Sequence, residues 1–191
     1  MLALAIALAL SLQSTPQSIE VPGNLLVDPH VDAGGSAWQS NGDARVERID
    51  GNLCLVVRNR GLFQQSVPLQ VPPAGTHVVL LARASGERIN PDGAITGLPS
   101  LYALVTTGEG VRILAHLQAH SMLSAAKRKD EWTTLWGVFE VPEGATSIVV
   151  QLSLAERRGV PQNGSAGRFD DLALVLVASR AEALALAEQY R

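Results

Sequence analysis

The segment "LCLVVRNRGLFQQSVPLQVPPAGTHVVLLARAS", residues 53–85, decides the fold. It holds three short apolar runs, each marked off by a turn signal. "LCLVVRN" stops at Arg60-Gly61, "LFQQSVPLQV" stops at "PPAG" (72–75), and "THVVLLARAS" follows. Runs of this length, rich in Val and Leu and bounded by Gly and Pro, predict strands.

The same rhythm extends both ways. Upstream stand "NLLVDP" and "ARVERID", the second closed by Gly51-Asn52. Downstream, after a polar stretch from Gly86 to Pro99, come "LYALVTT" and "VRILAHLQ", with Gly108-Glu109-Gly110 between them as a hairpin loop. "WTTLWGVFEV", "TSIVVQLSL" and "FDDLALVLV" complete about ten runs. Strands this short and this regular predict an all-β chain, an antiparallel β-sandwich or barrel, over residues 22–178. Residues 179–191 break the rhythm. Ser179-Arg180-Ala181-Glu182 has capping-box spacing, and Ala183, Leu186, Ala187 and Tyr190 share one helical face. A short C-terminal helix docked on the sheets is expected.

Composition narrows the function. At 191 residues the chain suits one well-cored domain. With 15 Lys and Arg against 18 Asp and Glu, it has no basic footprint, and no nucleic-acid partner is expected. The single cysteine, Cys54, leaves no internal disulfide and reads as a small buried residue. Residues 1–18 open with an apolar run from Met1 to Leu10 that is too short to span a bilayer. With a loose Ala9-Leu10-Ser11 cleavage pattern, it reads as a signal peptide, although no Lys or Arg precedes it. The mature chain is then expected to start between residues 12 and 20, without a transmembrane segment. Its expected location is secreted, periplasmic or in the cell envelope.

The run "GRFDDLALVLV", residues 167–177, poses a chemical question. Strict alternation puts Asp170 on a face with Leu172, Leu174 and Leu176, and Asp171 with Ala173, Val175 and Val177. Both faces are apolar, so each carboxylate needs a partner.

Catalytic patterns are thin. Ser124-Ala-Ala-Lys127 has Ser-x-x-Lys spacing but lacks the Ser-Asp-Asn and Lys-Thr-Gly elements that accompany it. The acidic residues Asp43, Glu47, Asp50, Glu87 and Asp92 are scattered, with no spacing that forces a glycosidase pair. On a strand, His116 and His120 would stand about 13 Å apart, too far to share a metal. Asn163-Gly-Ser165 is a glycosylation sequon or a turn. No enzymatic activity is expected.

Several of these pieces, in this order, resemble the carbohydrate-binding modules attached to secreted cellulases and xylanases. "NLLVDPHVDAGGSAW" (24–38) is similar to their opening, residues 50–86 to their next three strands, "EWTTLWGVFEVPEGATSIVVQLSL" (131–154) to their Trp-led strand and its successor, and "FDDLALVLV" to their closing strand. The resemblance covers residues 24–177 and implies a galactose-binding-like β-jelly roll with non-catalytic glycan binding. It also implies a structural calcium between Asp32 and Asp170, or Asp171, which suits an ion that takes six to eight oxygen ligands. The alternative partners for these carboxylates are backbone N–H groups of a neighbouring loop. Trp38 and Trp132 match structural positions of those modules, whereas Trp136 does not. Trp136 is therefore either half of a sugar platform, with Gln151 or Gln118 nearby, or packing beneath the terminal helix. Tyr102 carries the same two readings. Aromatics make up only 4% of the chain, so no row of exposed rings is evident. The alternative function is a structural or protein-interaction β-sandwich of the cell envelope without a sugar site.

Overall fold

A computed structural model describes residues 20–70, 72–87, 97–118, 132–156 and 166–190. The signal-peptide reading, the Ser124–Lys127 pattern, Asp92, His120 and the Asn163 sequon lie outside the described residues, as do the side chains of Glu87 and Gln118.

The described elements are β1 (Gln39–Asn41), β2 (Ala44–Ile49), β3 (Asn52–Arg58), β4 (Leu62–Pro68), β5 (His77–Glu87), β6 (Gly97–Thr107), β7 (Gly110–Gln118), β8 (Thr133–Glu140), β9 (Ser147–Glu156), β10 (Ala166–Val177) and α1 (Arg180–Glu188). The strands form two five-stranded sheets, in the orders β1-β4-β9-β6-β7 and β2-β3-β10-β5-β8. Every strand pair is antiparallel. The expected sandwich is what the chain adopts.

Alternation explains the packing. In β4, Phe63, Gln65 and Val67 turn inward while Gln64, Ser66 and Pro68 turn out. In β9 the inward set is Ile148, Val150, Leu152 and Leu154. Opposite them, Leu55, Val57, Leu80, Phe169, Leu172 and Leu174 close a single core between the sheets. Burial of such side chains stabilises the fold by roughly 1.5–3 kcal/mol each. The continuous apolar runs of β3, β5 and β10 have a different cause, because both faces of this second sheet are covered. Val79, Leu81, Ala173, Val175 and Val177 face outward and are buried with Ala183 and Ala187 of α1. Ser179 caps that helix by accepting from the Glu182 N–H at 3.2 Å, and the Glu182 carboxylate accepts from the Ala178 N–H in return.

The first apolar run departs from expectation. "NLLVDP" forms no strand; residues 20–38 are turns and bends laid along β10. The Asn24 side chain does a strand's work, donating to the Leu172 carbonyl at 2.8 Å and accepting from the Leu174 N–H at 3.0 Å. Buried Gln65 holds the same segment from the other sheet, accepting from the Val27 N–H and donating to the Val27 carbonyl. Gly35 closes it. Its φ of 70° is one L-residues rarely adopt, and a Cβ there would lie 2.7 Å from Val46 Cγ2.

Candidate functional site

The outer face of the first sheet gathers polar and aromatic side chains from all five strands. Register aligns Gln39 of β1 with Gln64 of β4, Gln64 with Gln151 of β9, Gln151 with Tyr102 of β6, and Tyr102 with His116 of β7. Directly opposed residues share a face, so these five form one row. At about 4.8 Å per strand the row is roughly 19 Å long. Gln64 Nε2 donates to Gln39 Oε1 at 3.1 Å, which ties two of the amides together. At the other end the Tyr102 and His116 rings stack with centroids 4.0 Å apart and planes 11° from parallel. Burial raises the Tyr102 pKa.

Flanking rows run parallel to this one. On one side Asn41, Leu62, Ser153 and Ser100 line up, with the backbone of Gln118 at the end. On the other, Ser66, Val149, Leu104 and Ile113 form a row that is apolar over three strands. Ile113 is 63% exposed, and Val111, one row further, is 67% exposed. Amides and hydroxyls beside a ring pair and an apolar strip are the chemistry that grips hydroxyl-bearing rings: hydrogen bonds for their edges, apolar contact for their C–H faces.

The sequence candidates divide between the two sheets. Tyr102 and Gln151 come together as direct neighbours, and Gln118 enters through its backbone in the adjacent row. Trp136 lies on β8 of the other sheet, opposite Leu81, and packs against the outward cluster that α1 covers. Of its two expected placements, the one beneath the helix is observed. Gln39, Gln64 and His116 were missed. Alternation alone shows that Gln64 and His116 point away from the core, but nothing local shows that they meet.

The aspartate pair lies on the second sheet and answers the question its sequence raised. Strict alternation fails here. The register shifts between Asp170 and Ala173, and Asp171 takes a φ of 48°. This bulge puts Asp170 opposite Arg83, off the core face that Leu172 and Leu174 occupy. Asp171 Oδ1 lies 2.8 Å from His30 Nδ1, and Oδ2 accepts from Arg83 Nη1 at 3.1 Å. Asp170 Oδ1 accepts from the Asp171 N–H at 2.9 Å. Burial, and then the neighbouring Asp171 charge, push the Asp170 pKa up to about 7. Arg83 also stands over the Trp132 ring, 5.2 Å from its centroid.

His30, Asp170 and Asp171 form a group that could hold a metal ion, with one ligand atom from each within 4.8 Å of the others. Asp32 is not in this group. Its side chain is exposed, and the first loop's other acid, Asp28, caps the loop itself, accepting from the Ala33 and Gly35 N–H groups at 2.9 and 2.8 Å. The expected Asp32 ligand is thus replaced in the cluster by His30. Cys54 is buried and its thiol is pushed up to about 12, chiefly by desolvation, so it is no nucleophile.

No family model matches this chain, and no curated protein matches it. Solved structures do. The tandem CBM22-1–CBM22-2 domain of Xyn10C from Paenibacillus barcinonensis aligns with a TM-score of 0.54 at 14% identity, over 78% of this chain and 49% of that one. The enzymatically active domain of tailspike protein 4 from bacteriophage CBA120 aligns at 0.52 and 12% identity, over 81% of this chain and 22% of that one. TmCBM61, solved in complex with β-1,4-galactotriose, aligns at 0.48 and 20% identity, over 79% and 97%. The chain therefore spans about half of the tandem module and a smaller part of the tailspike domain. The two likenesses above 0.5 establish the fold, the β-sandwich of that tandem module. Among the described residues no helix is long and apolar enough to cross a membrane.

Proposed function

We propose that this protein is a non-catalytic glycan-binding module that holds a saccharide chain on the outer face of its first sheet. The observation that carries this is the row Gln39–Gln64–Gln151–Tyr102–His116, which crosses all five strands and ends in a stacked ring pair. Its length suits several sugar units rather than one. The amides supply donors and acceptors for hydroxyls, and the Tyr102–His116 stack and the Val149–Leu104–Ile113 strip supply apolar contact. The fold shared with a tandem carbohydrate-binding module supports the reading. An extracellular location follows from such a ligand and from the apolar leader expected over residues 1–18.

The calcium that the sequence resemblance implies is not part of this function. It would act on stability at the opposite sheet, and the residues gathered there suit it poorly. Catalysis has no place in the reading either, because the row offers amides and rings rather than facing carboxylates.

The test is affinity electrophoresis of wild type, Tyr102→Ala and Trp136→Ala through gels containing xylan, β-glucan, galactomannan or galactan. Retardation of wild type that Tyr102→Ala loses and Trp136→Ala keeps is expected. Retardation lost only in Trp136→Ala would move the site to the other sheet. The exposed Val111 and Ile113 on the edge strand β7 favour one second reading, a protein-binding sandwich. No retardation in any gel, together with self-association relieved by Ile113→Lys, would establish it instead.

A further inference from the structure

We infer that the buried aspartate pair is balanced from within the protein, the Arg83 guanidinium supplying the charge and His30 a hydrogen-bond partner in the role that the sequence resemblance gives to calcium. Calcium collects six to eight oxygen ligands, and a fixed positive charge beside them weakens its hold. Here both oxygens of Asp171 face nitrogen, His30 Nδ1 at 2.8 Å and Arg83 Nη1 at 3.1 Å. A guanidinium cannot ligate a metal, and its fixed charge repels a dication. The third converging group is an imidazole, and the oxygen ligand expected from Asp32 points to solvent.

The arrangement is held from several directions. Arg83 is kept in place by the Trp132 ring on one side and Asp171 on the other. Asp171 is almost wholly buried, its side chain 2% exposed. Three segments far apart in the chain meet at it: the N-terminal loop through His30, β5 through Arg83, and β10 itself. A metal that bridges a loop to two strands would do the same mechanical work. The domain is therefore expected to be indifferent to divalent ions.

The experiment compares thermal melts of wild type and Arg83→Gln in EDTA, in calcium chloride and in zinc chloride. Wild type is expected to give one melting temperature in all three. Arg83→Gln is expected to melt lower and to regain several degrees in calcium, because the carboxylate pair then lacks its fixed cation. A wild-type melting temperature that falls in EDTA and recovers with calcium or zinc would overturn the inference. So would an Arg83→Gln protein that melts like wild type in all three conditions. Should Arg83→Gln fail to fold, Arg83→Lys decides: it keeps the charge and is expected to fold without a response to metal, and a rise in calcium would contradict the inference.

Discussion

Asp170 shows how one buried carboxyl sets the pH response. Its folded-state pKa lies near 7 against an ordinary carboxyl value near 4. Between those values the folded state holds a proton that the unfolded chain has released, so stability falls as pH rises through that window. The contribution is fully present below about pH 4 and lost above about pH 7. Asp170→Asn removes the titration and keeps an oxygen for the Asp171 N–H. Melts from pH 4.5 to 7.5 should show the variant gaining on wild type by a few degrees as pH rises; parallel curves would refute the cause. The need for partners at Asp170 and Asp171 was legible in the sequence, since two acids stand at the head of an apolar strand. The partners were not. His30 lies 141 residues from Asp171 and Arg83 lies 88 residues away, and only the fold brings them together. The bulge was equally hidden, because alternation gives no sign of where a strand slips by one residue.

At the scale of elements, strands with turn signals and the capped helix were legible, while an irregular segment that imitates a strand was not. "NLLVDP" has a strand's apolar composition, yet Asp28 and Val31 adopt positive φ and break the extension. What secures the segment is the Asn24 amide against β10. Asn24→Ala would leave the Leu172 carbonyl and the Leu174 N–H without these bonds, at a cost of about 1–3 kcal/mol in chemical denaturation. Asn24→Asp should recover part of that loss, because the acceptor for Leu174 remains. The helix offers a second check. Ala183 is fully buried against β5 and β10, so Ala183→Glu should lift α1 from the sheet and expose Trp136. A red shift of tryptophan emission with the strand signal retained in circular dichroism is the expected result. An unshifted spectrum would mean that the helix is not what covers Trp136.

The whole molecule uses its two sheets differently. The second sheet is covered on both faces, by the core within and, without, by α1 and Val21 over β5 and β10 and by Ile49 and Trp132 over β3, which is why these three strands read as apolar runs. Among the described residues no element packs over the outer face of the first sheet, and its strands alternate. That contrast was visible along each strand, but the row proposed to face the ligand was not, because its members run from Gln39 to Gln151 and meet only through register across five strands. Sequence reasoning singled out Tyr102 and Gln151 individually and could not join them to Gln64, Gln39 and His116. The most direct measurement of the proposed function is therefore an amide chemical-shift titration of the wild-type protein with whichever oligosaccharide corresponds to the retarding polysaccharide. Shifts confined to Gln39, Gln64, Gln151, Tyr102, His116 and their neighbours are expected, with the residues of α1 and β8 unmoved. Shifts centred on Trp136 and the helix, with this row silent, would contradict the placement of the site on the first sheet.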